Sequence, residues 1–240
     1  MRSENKDIRN IAYENSNRGL KEHEKLMIKY VQENIQDSRV DILDIGCADG
    51  LFLDELSKVV DCNRLDGIDN DPNLITTANE KVYKANESVF YCCDIQEFIS
   101  ASHEINKRKY DVIIASGILA CIENVDGLIK ATANSLKSGG RIYIFGSQLS
   151  RPVDIRYSIR PHGKDEWECE RFILSLENLK KILMKYLENI TVKQFELPFD
   201  LVEKPNVCST YSVKTEDGTR MILSKFNVLA EIFYVIAKKK

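Results

Sequence analysis

No run of this chain approaches the ~20 consecutive apolar residues that a membrane span needs, so no membrane partner is expected. Basic charge is not in excess. The net charge of −3 gives a nucleic-acid backbone no electrostatic reason to bind. Cysteines number seven, an odd and scattered count with no Cys-x-x-Cys pair, which suits neither a zinc site nor a disulfide framework. Cys92 and Cys93 are adjacent and so point to opposite faces of any strand. Reduced thiols in a cytosolic protein are the simplest reading. The opening "MRSENKDIRNIAYENSNRG" has no apolar core and does not read as a signal peptide. A cytoplasmic location is expected. Carboxylate clusters are mixed with lysines and lack ligand spacing, so no metal is expected. Histidine occurs three times, at positions 23, 103 and 162, which narrows the choice of neutral-pH bases.

What is present is the composition of a globular chain. The 240 residues are 43% hydrophobic and 30% charged, enough for one sizeable domain. Leu20, Met27, Tyr30, Val31 and Ile35 fall near helical spacing and predict an amphipathic helix, within an N-terminal helical segment spanning 1–38. Short β-branched runs then alternate with helical patterns. The predicted strands are Val40–Ile45, Arg64–Asp69, Val89–Cys92, Asp111–Ala115 and Arg141–Phe145. The helices between them are Leu51–Val60, Asn73–Lys81, Ile95–Ser100 and Val125–Leu136, with Gly139-Gly140 closing the last. Such alternation is the signature of a doubly wound, parallel α/β sheet.

After Phe145 the rhythm changes. Residues 147–174 are rich in charge and read as an inserted cap. A helix from Ser175 and a strand over Ile190–Glu196 follow. Residues 198–228 read as a hairpin insertion turning at Asp217-Gly218, and "EIFYVIA" makes a final strand.

The stretch "VDILDIGCADGLFL" joins an apolar strand to a helix through glycines 46 and 50. Lacking a Cβ, they let the backbone bend sharply and let a ligand lie against it, beside the unpaired N–H groups of a helix start. The dinucleotide fingerprint needs a small residue where Leu51 stands, which argues against a nicotinamide oxidoreductase. Asp44-x-Gly46-x-Ala48-x-Gly50 instead resembles the glycine loop of class I methyltransferases that use S-adenosylmethionine, with Ala48 where relatives usually carry glycine. Downstream, "RLDGIDNDP" ends a strand at Asp69-Asn70, "VFYCCDIQEF" places Asp94 and Ile95, and "YDVIIASGILACIEN" is similar to the family's fourth strand and the loop after it. The match runs over about Val40 to Phe145; polyamine synthases share parts of this scaffold.

The resemblance implies a Rossmann-like, doubly wound, mostly parallel seven-stranded sheet with the last strand antiparallel and a cap insertion after the fifth. It implies S-adenosylmethionine as cofactor, held by Asp44, Gly46, Ala48, Gly50, Asp69, Asn70, Asp94, Ile95 and Ser116. Asp69 would meet the ribose diol and Asp94 the adenine. Relatives often place Glu-His in the loop after the fourth strand, where this chain has Ala120 and Cys121. A base is therefore sought elsewhere: His162 in the cap, with Tyr13 closing over the cofactor. His23 and His103 read as surface residues. Arg156, Arg160 and Tyr157 suggest a site for a small anionic acceptor, such as a phosphorylated or nucleotide-linked sugar, methylated on oxygen or nitrogen. The alternatives are a protein or RNA methyltransferase and a non-catalytic, cofactor-binding partner subunit. Oligomeric state is not legible.

Overall fold

A computed structural model of the chain describes residues 19–35, 39–81, 88–160, 165–201, 211–216, 218, 220–223 and 229–240. Helix α1 (Glu22–Asn34) leads into β1 (Val40–Ile45), α2 (Leu51–Ser57), β2 (Cys62–Asp69), α3 (Pro72–Lys81), β3 (Phe90–Cys92) and α4 (Ile95–Ile99). Then come β4 (Tyr110–Ser116), α5 (Val125–Ser135) and β5 (Leu136–Gln148). A separate antiparallel hairpin of β6 (Ile155–Ile159) and β7 (Glu168–Ile173) precedes α6 (Leu176–Tyr186). The chain ends with β8 (Leu187–Phe195), β9 (Tyr211–Lys214), β10 (Arg220–Leu223) and β11 (Leu229–Lys239).

The main sheet has nine strands in the order β3-β2-β1-β4-β5-β11-β10-β9, with β8 also paired to β11. Strands β1 to β5 pair in parallel, and β11 runs antiparallel to both β5 and β8. The seven-stranded core and its reversed last strand therefore match the sequence reading. The hairpin β9–β10 extends the sheet by pairing with the start of β11 through Ile222↔Ala230 and Leu223↔Leu229.

Alternation along the central strands explains the layers. In β1 and β4, Ile42, Val112 and Ile114 face α1, α2 and α3, meeting Met27, Val31, Leu53, Leu56 and Ile75. Leu43, Ile45, Ile113 and Ala115 face the other way, onto Phe98, Leu128, Ile129, Leu179 and Leu183 of α4, α5 and α6. Successive side chains point to opposite faces, so a nearly continuous apolar run is what a sheet covered on both sides requires.

Helix α5 stops at Ser135, and Leu136 is already extended. The pair Gly139-Gly140 does not close it. These glycines lie in a bulge, where β5 pairs Leu136 with Tyr110 and Arg141 with Val112. A Cβ on Gly140 would come within 3.0 Å of the Asp111 and Tyr110 carbonyl oxygens, so the bulge needs glycine there.

The order β3-β2-β1-β4 sets the site. The chain builds outward from β1 to β3 and then returns to the other side of β1. Beyond the carboxyl ends of β1 and β4 the connections diverge, leaving a crevice.

Candidate active site

The crevice holds a cavity of about 240 Å³. Asp44, Gly46, Cys47 and Ala48 form one wall, Ser116, Gly117 and Phe145 another, and Lys21, His23 and Glu24 of the α1 entry a third. The first two walls come from the ends of β1, β4 and β5.

The turn after β1 is built by its backbone. Ile68 of β2 accepts hydrogen bonds from both the Gly46 and Cys47 N–H groups, at 2.8 and 3.1 Å, which folds the chain back at once. Gly46 has φ of +81°, and a Cβ there would meet Ile118 Cδ1 at 3.1 Å. Both the dihedral and the space call for glycine. Ala48 also lies at positive φ, +50°, where a methyl group is strained. Its N–H is held by Asp69 Oδ2 at 3.0 Å. Relief of that strain should outweigh the flexibility glycine adds to the unfolded chain. Ala48→Gly is expected to raise unfolding stability by about 0.5–1 kcal/mol, measured by urea denaturation; a loss would show that the methyl is needed for packing.

The electrostatics are unusual at Asp44. The residue is 4% exposed, and its Oδ1 has no hydrogen-bond partner among the described residues. Burial first, and then the nearby Asp69 and Glu24 carboxylates, push its carboxyl up to about 8. A buried acceptor without a donor needs an explanation, and here it borders a cavity. Burial also raises the Cys47 thiol well above its ordinary value, so Cys47 is no thiolate nucleophile.

Asp69 and Asp94 stand further along the same strand ends, outside the cavity lining. Asp69 Oδ1 accepts the Asp71 N–H at 3.0 Å, so both oxygens serve the local turns. A carboxylate has about four lone-pair positions, and two remain for a diol. Asp94 caps α4, its Oδ1 accepting the Gln96 N–H at 2.7 Å, which leaves Oδ2. Asn70 is exposed, Ile95 is half-buried beside α4, and Gly50 caps α2 at φ of +75°.

The hairpin β6–β7, in the segment expected from the sequence to form a cap, lies outside the cavity lining. Strand β7 packs on the turn Leu119–Cys121 that follows β4. Arg156 Nη1 donates to Glu123 Oε1 at 2.8 Å, and its guanidinium lies over Phe172. Arg160 stacks on Trp167 at 5.2 Å. Tyr157 packs with Leu149 and Ile173. None of these three residues lines the cavity. His162 and Tyr13 lie outside the described residues.

His23 is not a bare surface residue. Its ring stacks on Phe145 at 4.3 Å with 2° between planes and meets Phe195 edge-on at 6.3 Å. A sequence signal for it exists. His23 precedes Met27 by four residues and Tyr30 by seven, and Glu24 precedes Met27 by three and Val31 by seven. Both therefore fall on the buried stripe of α1. His103 is half-buried, its Nδ1 accepting the Ile105 N–H at 3.3 Å.

Comparison with known proteins agrees with this geometry. Residues 43–142 match the model of a methyltransferase domain. A malonyl-[acyl-carrier protein] O-methyltransferase of Ilyobacter polytropus is 28% identical over 151 residues, covering 62% of this chain and 56% of that protein. A ribosomal protein L11 methyltransferase of Thermosipho africanus is 30% identical over 153 residues, 63% of this chain and 55% of that protein. The chain thus spans about half the length of these curated relatives. A solved S-adenosylmethionine-dependent methyltransferase of Listeria monocytogenes shares the fold at a TM-score of 0.59 and 15% identity, over 90% of this chain and 98% of that one. Residues 43–142 thus match a methyltransferase domain, and the chain with this strand order shares the fold of a solved S-adenosylmethionine-dependent methyltransferase.

Proposed function

We propose that the crevice binds S-adenosylmethionine and that the protein transfers its methyl group to an oxygen or nitrogen of a small anionic molecule. The observation that carries the first half is the buried Asp44 Oδ1, without a partner among the described residues, at a cavity whose turn needs positive φ at Gly46. Asp44 and Glu24 supply negative charge for the ammonium of an amino acid, and Lys21 a cation for its carboxylate. Asp69 and Asp94 offer their remaining lone pairs to ribose and adenine. Gly50, Ala48, Asn70, Ile95 and Ser116 shape the walls. When bound, the cofactor supplies a methyl group on a sulfonium that is already reactive.

The chain's own residues position and exclude water. Phe145 and Phe52 line the cavity with apolar surface. His23, held flat on Phe145, is the cavity's candidate for taking a proton from a hydroxyl or amine acceptor. His162 and Tyr13 keep the roles proposed from the sequence. The net charge of −3 counts against RNA as the acceptor. The anionic acceptor rests on Arg156 and Arg160 in the hairpin over the turn Leu119–Cys121.

Calorimetry with S-adenosylhomocysteine, followed by turnover on panels of small carboxylates and phosphates, tests the reading. Binding and turnover are expected. Arg156→Met with Arg160→Met should raise KM for the accepted substrate about tenfold, the worth of one charge-assisted contact. An unchanged KM would remove these arginines from the site. Cofactor binding with no turnover on any panel would favour the non-catalytic subunit.

A further inference from the structure

Away from the cavity, beyond the end of β3, three side chains of different chemistry converge. Cys93 is buried, Glu97 is exposed on α4, and His103 is half-buried just before the helical turn Glu104–Lys107. A sulfur, a carboxylate oxygen and an imidazole nitrogen lie within 4.8 Å of one another. We propose that Cys93, Glu97 and His103 bind one zinc ion, with water as the fourth ligand.

Local structure explains the convergence. Cys93 immediately precedes Asp94, the N-cap of α4, and Glu97 lies in the first turn of that helix, so the two meet at the helix start. The chain after α4 then folds back, with the Ser102 N–H donating to the Glu97 carbonyl at 3.0 Å and Asn106 Nδ2 to the Phe98 carbonyl at 2.9 Å. That return brings His103 alongside, its ring edge-on to Tyr91 at 5.1 Å. Tetrahedral zinc with bonds of about 2.0–2.3 Å needs donors roughly 3.3–3.8 Å apart. The required approach is about an ångström. It falls to the two accessible side chains, while the sulfur stays anchored in the core beside Phe98.

The donor set selects the ion. One thiolate, one imidazole and one carboxylate suit zinc, whereas magnesium and calcium require oxygen ligands. Binding releases the thiol proton to solvent, and the sulfur coordinates as thiolate. Two existing contacts are affected, the first being the Cys93 thiol's donation to the Asp94 carbonyl at 3.3 Å, which goes with its proton. His103 Nδ1 accepts the Ile105 N–H, and ligation through Nδ1 uses that lone pair. Ligation through Nε2 instead moves the ring proton onto Nδ1. At 3.3 Å this is a long bond, so the competition is weak. The ion would pin α4 to the chain at His103, directly behind Asp94 and Ile95. The site is independent of what the crevice binds.

The test uses the untagged full chain, stripped with chelator and titrated with zinc and, separately, with cobalt(II). One zinc per chain is expected, together with a thiolate-to-cobalt charge-transfer band. Cys93→Ser should abolish the band, and His103→Gln and Glu97→Gln should each weaken zinc at least about tenfold. Cys92→Ser, an exposed neighbour, should change neither. Zinc bound equally well by Cys93→Ser or His103→Gln, or no zinc bound at all, overturns the proposal. If circular dichroism shows Cys93→Ser unfolded, the two variants at accessible positions decide the matter.

Discussion

Replacing Asp44 with asparagine is expected to stabilise the unliganded protein above neutral pH while weakening S-adenosylmethionine about a hundredfold, the loss of roughly 2.7 kcal/mol that removing one partner of a buried charge pair brings. The two effects share one cause. The carboxyl ionises near 3.8 in the unfolded chain and near 8 in the fold, driven up by burial and then by Asp69 and Glu24. The folded state therefore keeps the proton longer. Its stability is intact below the unfolded value and falls as pH rises towards about 8. A tenfold difference in proton affinity between fold and unfolded chain is worth about 1.4 kcal/mol, so the penalty has a ceiling of about 6 kcal/mol. Asparagine keeps the shape and carries no charge, so the variant's stability relative to the wild type should rise between about pH 4 and about pH 8 and level off above that. Over about pH 6 to 7, cofactor affinity should climb in the wild type and stay flat in the variant. Urea unfolding and calorimetry at these pH values read both outcomes. Equal stability of the two proteins at high pH would show that Asp44 carries no penalty, and unchanged affinity would remove it from the cofactor site.

Asp44 is legible in the sequence because β1 is a simple signal. An apolar run that halts at Asp44-Ile45-Gly46 has one strand boundary, and the strand ends where the glycine stands. The adjacent cysteines also divide as the pleat dictates, Cys92 exposed and Cys93 buried. The α1 contribution is harder to see. His23 and Glu24 lie on the apolar stripe, but polarity alone assigns them to solvent, and only the partner across the cavity, Phe145 of β5, reveals their place. That partner is 122 residues away in sequence. The hairpin β6–β7 is hidden for a related reason. Strand β6 alternates in sequence, with Ile155, Tyr157 and Ile159 against Arg156 and Ser158, but β7 carries Glu168, Glu170 and Arg171 and shows no such face, so the charged stretch conceals the pairing of Arg156 with Phe172. The triad at Cys93 escapes spacing rules because its third member arrives through a turn, not along a helix face.

The largest loss of stability is expected at Asp66, which in the sequence is one more residue of a predicted strand. It is fully buried in β2. The Tyr110 hydroxyl and Arg108 Nη1 both donate to its Oδ2, at 2.7 and 2.8 Å, and the Val89 N–H donates to Oδ1 at 3.1 Å. Arg64 Nε stands at 3.2 Å but is not aligned for a hydrogen bond. Burial and the Asp66 charge push the Tyr110 hydroxyl well above its ordinary value, so it remains a donor at every pH the fold survives. The network ties the middle of β2 to the start of β4 and to the Arg108 loop. Asp66→Ala leaves the Arg108 guanidinium, a hydroxyl and an N–H without their acceptor and removes the carboxylate paired with Arg64. Breaking a buried pair in this way costs about 3–5 kcal/mol, a large share of the roughly 5–15 kcal/mol that holds a domain folded. Tyr110→Phe removes one donor to a charged acceptor and should cost about 1.5–3 kcal/mol. Because both changes delete the same contact, the double variant should lose less than the two single losses added together. Urea midpoints for the four proteins give that cycle. Additive losses would mean that the hydroxyl and the carboxylate do not act as a unit, and the joint anchoring of β2 and β4 would fall with them.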